Sequence, residues 1–254
     1  MQEFNAEKVK NDLIHWVRDW FSVNGPNCNM VFGASGGKDS TIVAALAVEA
    51  LGKDRVIGVL MPNGEQSDID EARFVCEYLG IRSIEIDISD AVNGVLNGIQ
   101  CGIYDGVRQG FDTLEISEQT KTNLPARIRM ATLFAVAQSC NGRVSCNCNL
   151  SEDYIGYSTF GGDDFGSFGP LRNLTTDEVI AIGDALGLPY HLVHKTPSDG
   201  LCGKTDEDNF GFSYAVLNKY IRTGICEDEK IKAKIDEMHK KNLFKLNPMP
   251  CFEF

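Results

Sequence analysis

The sequence predicts an α/β protein with a doubly wound, mostly parallel sheet flanked by helices. Three short apolar strands alternate with helical patterns in the first third of the chain, which is typical of parallel sheets. A glycine-rich turn at residues 33–37 follows the first strand, where ligands of such sheets collect. With 254 residues and a hydrophobic fraction of 43%, the chain can bury a large core. We therefore predict one domain over residues 1–254.

The first half of the chain has regular hydrophobic spacing. A stripe of aliphatic and aromatic residues over 4–21 predicts a first helix, which an Asn-Gly-Pro turn ends. Short apolar runs predict the strands, and apolar residues at helical spacing predict the helices between them. Asp70 follows Ser67 at capping-box spacing, which indicates a helix start. The predicted elements after the first helix are strands at 30–32, 55–61 and 82–87, a helix whose apolar residues run from Ile42 to Leu51, and a helix from Ser67.

The second half mixes clear helices with polar segments. Residues 98–122 carry four glycines and weak periodicity, which predicts a mobile connection. Residues 151–170 are rich in glycine and acidic residues, a composition that favours an irregular binding loop. Thr175 and Glu178 have capping-box spacing at the start of a helix that ends near residue 187. The other predicted elements are helices at 123–140, 212–222 and 227–242, a strand at 143–146 and a polar loop at 196–211.

Composition argues against several classes of protein. The formal net charge of −12 would repel a polyanion, so we expect no nucleic-acid partner. No apolar run could span a bilayer and the N-terminus lacks a signal-like segment, so we expect a cytoplasmic protein without membrane contact. Nine cysteines, an odd number spread over the chain, favour reduced thiols. For Cys146 and Cys148, buried structural thiols are favoured over a metal site.

The turn at residues 33–40, GASGGKDS, has the chemistry of a phosphate site. Consecutive glycines let backbone N–H groups converge on an anion, and the next helix adds its N-terminal dipole. The turn is not a Walker A loop, because Phe32 replaces the first glycine and Asp39 the final Ser/Thr. A carboxylate beside a phosphate repels it unless a cation lies between them. From the residues alone, a plain strand-to-helix turn in which Asp39 caps the helix remains open.

Residues 35–40, SGGKDS, resemble the SGGxDS pyrophosphate loop of the N-type ATP pyrophosphatases. Four later segments resemble one branch of that superfamily, the ammonia-dependent NAD synthetases, whose fold is adenine nucleotide alpha-hydrolase-like. Because the five blocks keep the order of the family, chance agreement is a poor explanation. The later segments are NLPARIRM at 123–130, NLSE at 149–152 with the glycines and acids after it, KTPS at 195–198, and the TDED and GFSY strings within 205–214.

The resemblance implies an enzyme that activates a carboxylate with ATP. Ammonia cannot displace oxide from a carboxylate, so the acid is first adenylated with release of pyrophosphate, and the acyl-adenylate then gives the amide and AMP. By resemblance, Asp39 and Glu152 bind Mg²⁺ and act in catalysis together with Lys38. A solvated loop acid is the alternative for Glu152. The residues that the resemblance assigns to ATP are Gly33, Ser35, Gly36, Gly37, Lys38, Asp39, Ser40, Asn147 and Ser198.

The acid that the resemblance implies is deamido-NAD. The family's contacts to this substrate fall on Arg127, Asp163, His239 and Lys240 of this chain. The chain leaves no residues for a glutaminase domain, so free ammonia is the expected nitrogen donor. Members of the family are homodimers, and the amphipathic first helix favours the same assembly here.

Four positions depart from the family pattern. Asn147 stands where the family usually has a threonine, and Phe160 replaces a lysine. Thr176 replaces a lysine that contacts ATP, and Ser167 replaces an aspartate that contacts substrate. Each lost charge-assisted contact is worth about 1.5 to 3 kcal/mol, and Lys204 or Arg172 are the candidates to compensate. A second hypothesis therefore keeps the chemistry and changes the carboxylate. A third makes the chain a non-catalytic nucleotide-binding module, which the presence of both metal-binding acids disfavours.

Overall fold

A four-stranded parallel sheet forms the centre of the computed structural model, which describes residues 4–66, 69–105, 115–195 and 206–252. The strands are Asn29–Gly33 (β1), Val56–Leu60 (β2), Arg82–Glu85 (β3) and Gly142–Val144 (β4). They lie in the order β3-β2-β1-β4, and every neighbouring pair is parallel. The chain thus builds the sheet outward from β1 in one direction, and later adds β4 on the other side. This reversal creates a crevice at the carboxyl ends of β1 and β4, where open α/β sheets bind ligands.

Eleven helices are present in the described part of the chain. None of them has both the length and the hydropathy needed to cross a bilayer. They are Ala6–Asn24 (α1), Lys38–Leu51 (α2), Ile69–Tyr78 (α3), Ser89–Asp105 (α4), Glu118–Ser139 (α5), Leu150–Ile155 (α6), Thr176–Ala185 (α7), Tyr190–Val193 (α8), Asp206–Phe210 (α9), Tyr214–Thr223 (α10) and Glu229–Leu246 (α11).

Both faces of the sheet are covered by helices, which confirms the predicted doubly wound α/β class. Successive side chains of a strand point to opposite faces. In β1, Met30 and Phe32 accordingly pack with α1, α2 and α7, whereas Val31 packs with α4 and α5. All three side chains are fully buried. This two-sided burial explains why β1 reads as a continuous apolar run.

A third hydrophobic cluster lies outside the two faces of the sheet. Ile155 at the end of α6 packs with Phe210, Tyr214 and Leu217 from α9 and α10, and with Ile235 of α11. The short helix α6 therefore connects the sheet to a C-terminal helical cluster. Its N-terminus follows β4, and its C-terminus is buried among the last helices.

Three predicted irregular segments were wrong in part. Residues 98–105 continue α4 and residues 118–122 begin α5, so only the middle of the predicted 98–122 connection is left, and 106–114 lie outside the described residues. Helix α4 keeps its apolar residues at helical spacing despite its glycines. Likewise, α6 occupies the start of the predicted 151–170 loop, and α9 covers 206–210 of the predicted 196–211 loop.

Candidate active site

The glycine turn lies at the carboxyl end of β1 and leads directly into α2. Gly36 has φ +73°, and a Cβ placed on it would lie 2.9 Å from the backbone nitrogen of Ala72 in α3. Only glycine fits this combination of backbone conformation and close approach. Ser35 Oγ accepts a hydrogen bond from the backbone N–H of Gly37 at 3.2 Å and lies 3.0 Å from Ser40 Oγ. The turn thus places two hydroxyls and the first N–H groups of α2 around one concave surface.

Lys38 and Asp39 are the first two residues of α2. The Lys38 ammonium is only 4% exposed and donates to Asp39 Oδ2 at 2.9 Å. Burial alone would lower the pKa of Lys38, but the nearby carboxylates of Asp39, Glu152 and Asp206 outweigh it, so the net pKa is raised. Lys38 is therefore a charged ammonium held at the base of the turn.

Glu152 is placed by the cap of α6. The side-chain oxygen of Asn149 accepts hydrogen bonds from the backbone N–H groups of Ser151 and Glu152, at 2.9 and 3.2 Å. In return, Glu152 Oε2 accepts from the backbone N–H of Asn149 at 3.5 Å. This reciprocal capping box holds the Glu152 side chain close to the helix N-terminus.

The structure brings Asp39 and Glu152, the two predicted metal-binding acids, into contact with the same residue, Asn149. The Asn149 side-chain amide donates to Asp39 Oδ1 at 3.4 Å, while its backbone N–H donates to Glu152 Oε2. Burial, and next the charge on Asp39, raise the pKa of Glu152 well above its usual range. Asp206 adds to this shift and Lys38 opposes it. The carboxyl groups of Asp39 and Glu152 therefore both lie beside Asn149.

This cluster fits a hard divalent cation. Three carboxyl groups, those of Asp39, Glu152 and Asp206, interact with the one Lys38 ammonium, so acids outnumber bases in this cluster. Within the described ranges no three acidic, histidine or cysteine side chains form a complete metal cage. Mg²⁺ needs no such cage, because it is commonly held by one or two carboxylates together with water and substrate phosphates. Asp39 and Glu152 could hold it beside the phosphate turn.

Tyr214 and Asp206 were not predicted as site residues, although both lie within a motif block. The Tyr214 hydroxyl donates to Asp206 Oδ2 at 3.2 Å, and both side chains are buried. Burial, then the charges of Glu152 and Asp206, raise the pKa of Tyr214. Tyr214 is therefore a neutral hydrogen-bond donor next to the acids. The TDED and GFSY strings alone do not show that Tyr214 reaches the acids, because that contact depends on how the two strings fold together.

The other predicted ATP residues lie near the turn or outside the described chain. Asn147 donates from its side-chain amide to the carbonyl oxygen of Gly33 at 3.3 Å, and its buried Oδ1 has no partner among the described residues. Ser198 lies outside the described residues. Lys195, from the same motif block, forms an ion pair with Glu71 beside the turn.

Arg127 and Asp163 form hydrogen bonds to two adjacent residues, Phe160 and Thr159, and these four residues define what we call the second wall of the candidate site. Arg127 Nε donates to the carbonyl oxygen of Phe160 at 3.1 Å. The backbone N–H of Thr159 donates to Asp163 Oδ1 at 2.9 Å. Arg127 of α5 and the segment 156–165 therefore form one surface. Phe160 contributes its carbonyl to this surface, while its ring lies 5.5 Å from that of Phe244 on α11.

Among the described residues, no hydrogen bond or ion pair joins His239 or Lys240 to this wall. His239 Nδ1 lies 2.8 Å from the carbonyl oxygen of Tyr154, and its ring stacks on the Tyr154 ring at 3.9 Å. Since a carbonyl only accepts, Nδ1 carries the proton. Lys240 is exposed. Arg172 forms an ion pair with Asp153 at 2.8 Å. Because its charge is used in this pair, Arg172 does not compensate for a lost lysine.

Lys245 of α11 contacts the 156–165 segment and was not selected in the sequence interpretation. Its ammonium donates to the carbonyl oxygens of Gly156 at 2.8 Å and Ser158 at 2.9 Å. Burial lowers the pKa of Lys245, and the charges of Asp164 and Asp163 counteract that shift. A basic residue near a helix C-terminus is common, so sequence alone offered no reason to select this one.

We expect Lys245→Met to raise KM for the carboxylate substrate about tenfold, because two charge-assisted hydrogen bonds that shape the 156–165 segment are lost. KM for ATP should stay within about twofold, since no contact links Lys245 to the phosphate turn. Steady-state kinetics with each substrate varied in turn measures both. Lys241→Met, an exposed lysine on the same helix, is the control. A rise in KM for ATP alone would contradict this assignment.

Cys146 and Cys148 are buried between the two walls. Both thiols donate to the carbonyl oxygen of Asp163, at 3.5 and 3.1 Å. The pair therefore packs the strand end that follows β4 against the 156–165 segment, in keeping with its interpretation as structural thiols.

Comparison with known proteins identifies the family. The NAD synthase family model matches residues 9–249. The NH(3)-dependent NAD(+) synthetase of Pyrococcus furiosus is 35% identical over 87% of this chain and 79% of its own length. Among solved structures, NMN synthetase from Francisella tularensis has a TM-score of 0.87 at 30% identity, covering 99% of this chain and 100% of that one. The NH3-dependent NAD synthetase of Campylobacter jejuni shares the fold, with a TM-score of 0.77, 24% identity and coverage of 99% and 100%. The chain therefore belongs to the NAD synthase family.

Proposed function

We propose that the protein is a ligase that amidates deamido-NAD with ammonia and ATP, giving NAD, AMP and pyrophosphate. The observation that carries this proposal is the meeting of Asp39 and Glu152 around Asn149 beside a phosphate turn. Relatives named NH(3)-dependent NAD(+) synthetases support both the reaction and free ammonia as the nitrogen donor. We further propose that residues 1–254 act as one domain.

The phosphate turn provides the groups needed for adenylation. Backbone N–H groups at the start of α2, with the Ser35 and Ser40 hydroxyls, would bind phosphate oxygens in a fixed orientation. Lys38 carries a positive charge that would stabilise the departing pyrophosphate. Asp39 and Glu152 would hold Mg²⁺, which supplies further neutralisation of the phosphate charge when bound. Their negative charge otherwise opposes ATP binding.

The second wall would bind the acid substrate. Arg127 is fixed by the Phe160 carbonyl and retains N–H donors for a phosphate or carboxylate. Asp163 is held by the Thr159 N–H, and Lys245 adds a second cation close to the same segment. This wall compensates in part for the lysine that the family has at position 160.

The direct test is incubation of the protein with ATP, MgCl₂, ammonium chloride and deamido-NAD. Equal amounts of NAD, AMP and pyrophosphate are expected, and omission of ammonium should leave NAD absent. Formation of ADP, or no product from folded protein with any nicotinate nucleotide, would overturn the proposal.

A second candidate substrate is nicotinate mononucleotide, which would be converted into nicotinamide mononucleotide. The observation that favours it is the full-length likeness to the Francisella NMN synthetase, with a higher TM-score than that of the Campylobacter NAD synthetase. Both acids present the same carboxylate, and they differ in the AMP half that the mononucleotide lacks. Comparing kcat/KM for the two acids under identical conditions decides between them. The larger value identifies the substrate.

We also propose a cytoplasmic homodimer. Exposed apolar side chains on and after α11, including Phe244, Met249 and Phe252, support an interface between copies of the chain. Sedimentation velocity at micromolar concentration should give the mass of a dimer. A monomer that persists at tens of micromolar would contradict this assignment.

A further inference from the structure

We propose that Asn149 is a positioning residue that sets the distance between Asp39 and Glu152 and thereby tunes divalent-cation binding. The inference rests on the proposed function, since it assigns the cation site of that reaction. Asn149 would not touch the reacting atoms. It would act through the two carboxylates that it contacts.

The contacts of Asn149 use both halves of its side chain. Its Nδ2 donates to Asp39 Oδ1 at 3.4 Å, while its Oδ1 accepts from two backbone N–H groups of α6. Its own backbone N–H donates a hydrogen bond to Glu152 Oε2. The residue is fully buried, so water does not replace these contacts. One amide therefore fixes α2, which carries Asp39, relative to α6, which carries Glu152.

Only an amide side chain satisfies this arrangement. Serine is an equally good helix cap but is too short to reach Asp39. Aspartate has the right length but offers no donor and would add a further negative charge to the cluster. An ordinary N-cap requires only an acceptor, which many residue types supply. The donor half of Asn149 thus has no role in capping, and its partner is a proposed cation ligand.

A buried chain of hydrogen bonds holds Asn149 itself. Thr176 Oγ1 donates to Asn149 Oδ1 at 3.5 Å, and the backbone N–H of Thr176 donates to Ser151 Oγ at 3.0 Å. Ser151 Oγ in turn donates to Asn218 Oδ1 at 2.6 Å. These side chains are all at most 5% exposed. Thr176, which stands where the family has a lysine, therefore supports Asn149 through α7, and Asn218 extends the chain to α10.

The test compares the unaltered protein with Asn149→Ser and Thr176→Val. Asn149→Ser keeps a capping oxygen and removes the donor to Asp39, whereas Thr176→Val keeps the volume and removes the hydroxyl that supports Asn149. Asn5→Ser is the matched control, because Asn5 caps α1 in the same way, accepting from the Lys8 N–H at 2.9 Å. Binding of Mn²⁺ in the presence of ATP is followed by the electron paramagnetic resonance of free Mn²⁺, and thermal melting verifies folding.

We expect Asn149→Ser to weaken Mn²⁺ binding about 10- to 100-fold, the range for lost outer partners of metal ligands. Thr176→Val should weaken it severalfold, and Asn5→Ser should not change it. The Mg²⁺ concentration for half-maximal amide formation should shift in parallel, with KM for the acid nearly constant.

If Asn149→Ser fails to fold, Thr176→Val decides the question. Mn²⁺ binding as tight as in the unaltered protein, in whichever variant folds, overturns the inference. Failure of the proposed function is distinguishable: the unaltered protein would then form no amide, while the difference in Mn²⁺ binding would persist.

Discussion

Glu152→Gln is expected to lower kcat/KM for amide formation by about 10²- to 10³-fold, as for loss of one preorganised electrostatic partner of a transition state. Glutamine keeps the shape of the side chain and can still accept from the Asn149 N–H, so α6 should remain capped. What disappears is one of the two charges proposed to hold Mg²⁺. Initial rates of AMP formation over a range of Mg²⁺ concentrations measure the loss, and high Mg²⁺ should restore it in part.

Glu178→Gln is the matched control for this substitution. Glu178 holds the same capping-box position in α7 that Glu152 holds in α6, and it accepts from the Thr175 N–H at 2.8 Å. It also pairs with Arg222, away from the phosphate turn. Rates should therefore stay close to those of the unaltered protein. Equal losses in the two variants would show that Glu152 matters for capping rather than for cation binding.

Gly36→Ala is expected to abolish ATP binding and to destabilise the fold. A non-glycine residue at φ +73° costs about 1 to 2 kcal/mol. The added Cβ would also meet the Ala72 backbone nitrogen at 2.9 Å, so the turn must move away from α3. Since a misplacement of about 1 Å can reduce a rate about 10²-fold, kcat/KM for ATP should fall at least that far. Isothermal titration with ATP and Mg²⁺, and thermal melting, report the two effects.

Gly52→Ala separates the backbone cost from the clash. Gly52 has φ +83° at the end of α2, and a Cβ there would have no atom within 4 Å. This variant should lose a similar backbone contribution to stability and retain ATP binding. ATP affinity that survives in Gly36→Ala would mean that the turn does not bind the phosphates.

Features that depend on nearby residues could be predicted from the sequence. The β1–turn–α2 unit has its strand, glycines and helix within 23 residues, from Asn29 to Leu51, so spacing alone located it. The capping box of α7 was likewise visible as Thr175 and Glu178, and the structure confirms it. The start of α5 was missed because Ser117 caps it several residues before the apolar pattern becomes regular.

Features that depend on distant contacts could not be predicted in this way. Asn149 appeared only as a letter of a motif, because its partner Asp39 is 110 residues away. Lys245 was overlooked for the same reason, since its acceptors Gly156 and Ser158 are 89 and 87 residues distant. His239 was selected because His239-Lys240 matches a pair that contacts the substrate in the family. The resemblance to the family identified candidate residues. Which of their side chains contact one another is determined by the fold.

Because α6 lies between the sheet and the C-terminal helical cluster, the proposed sites for ATP and for the acid substrate are built on different parts of the molecule. ATP would be bound by groups at the end of the sheet together with Asp206 and Tyr214, whereas the proposed acid-binding wall is the 156–165 segment that Lys245 of α11 contacts. Substitutions in that segment or at Lys245 would then exchange one nicotinate substrate for another and leave the phosphate turn intact. A lineage could move between mononucleotide and dinucleotide specificity through changes on one side of a single short helix.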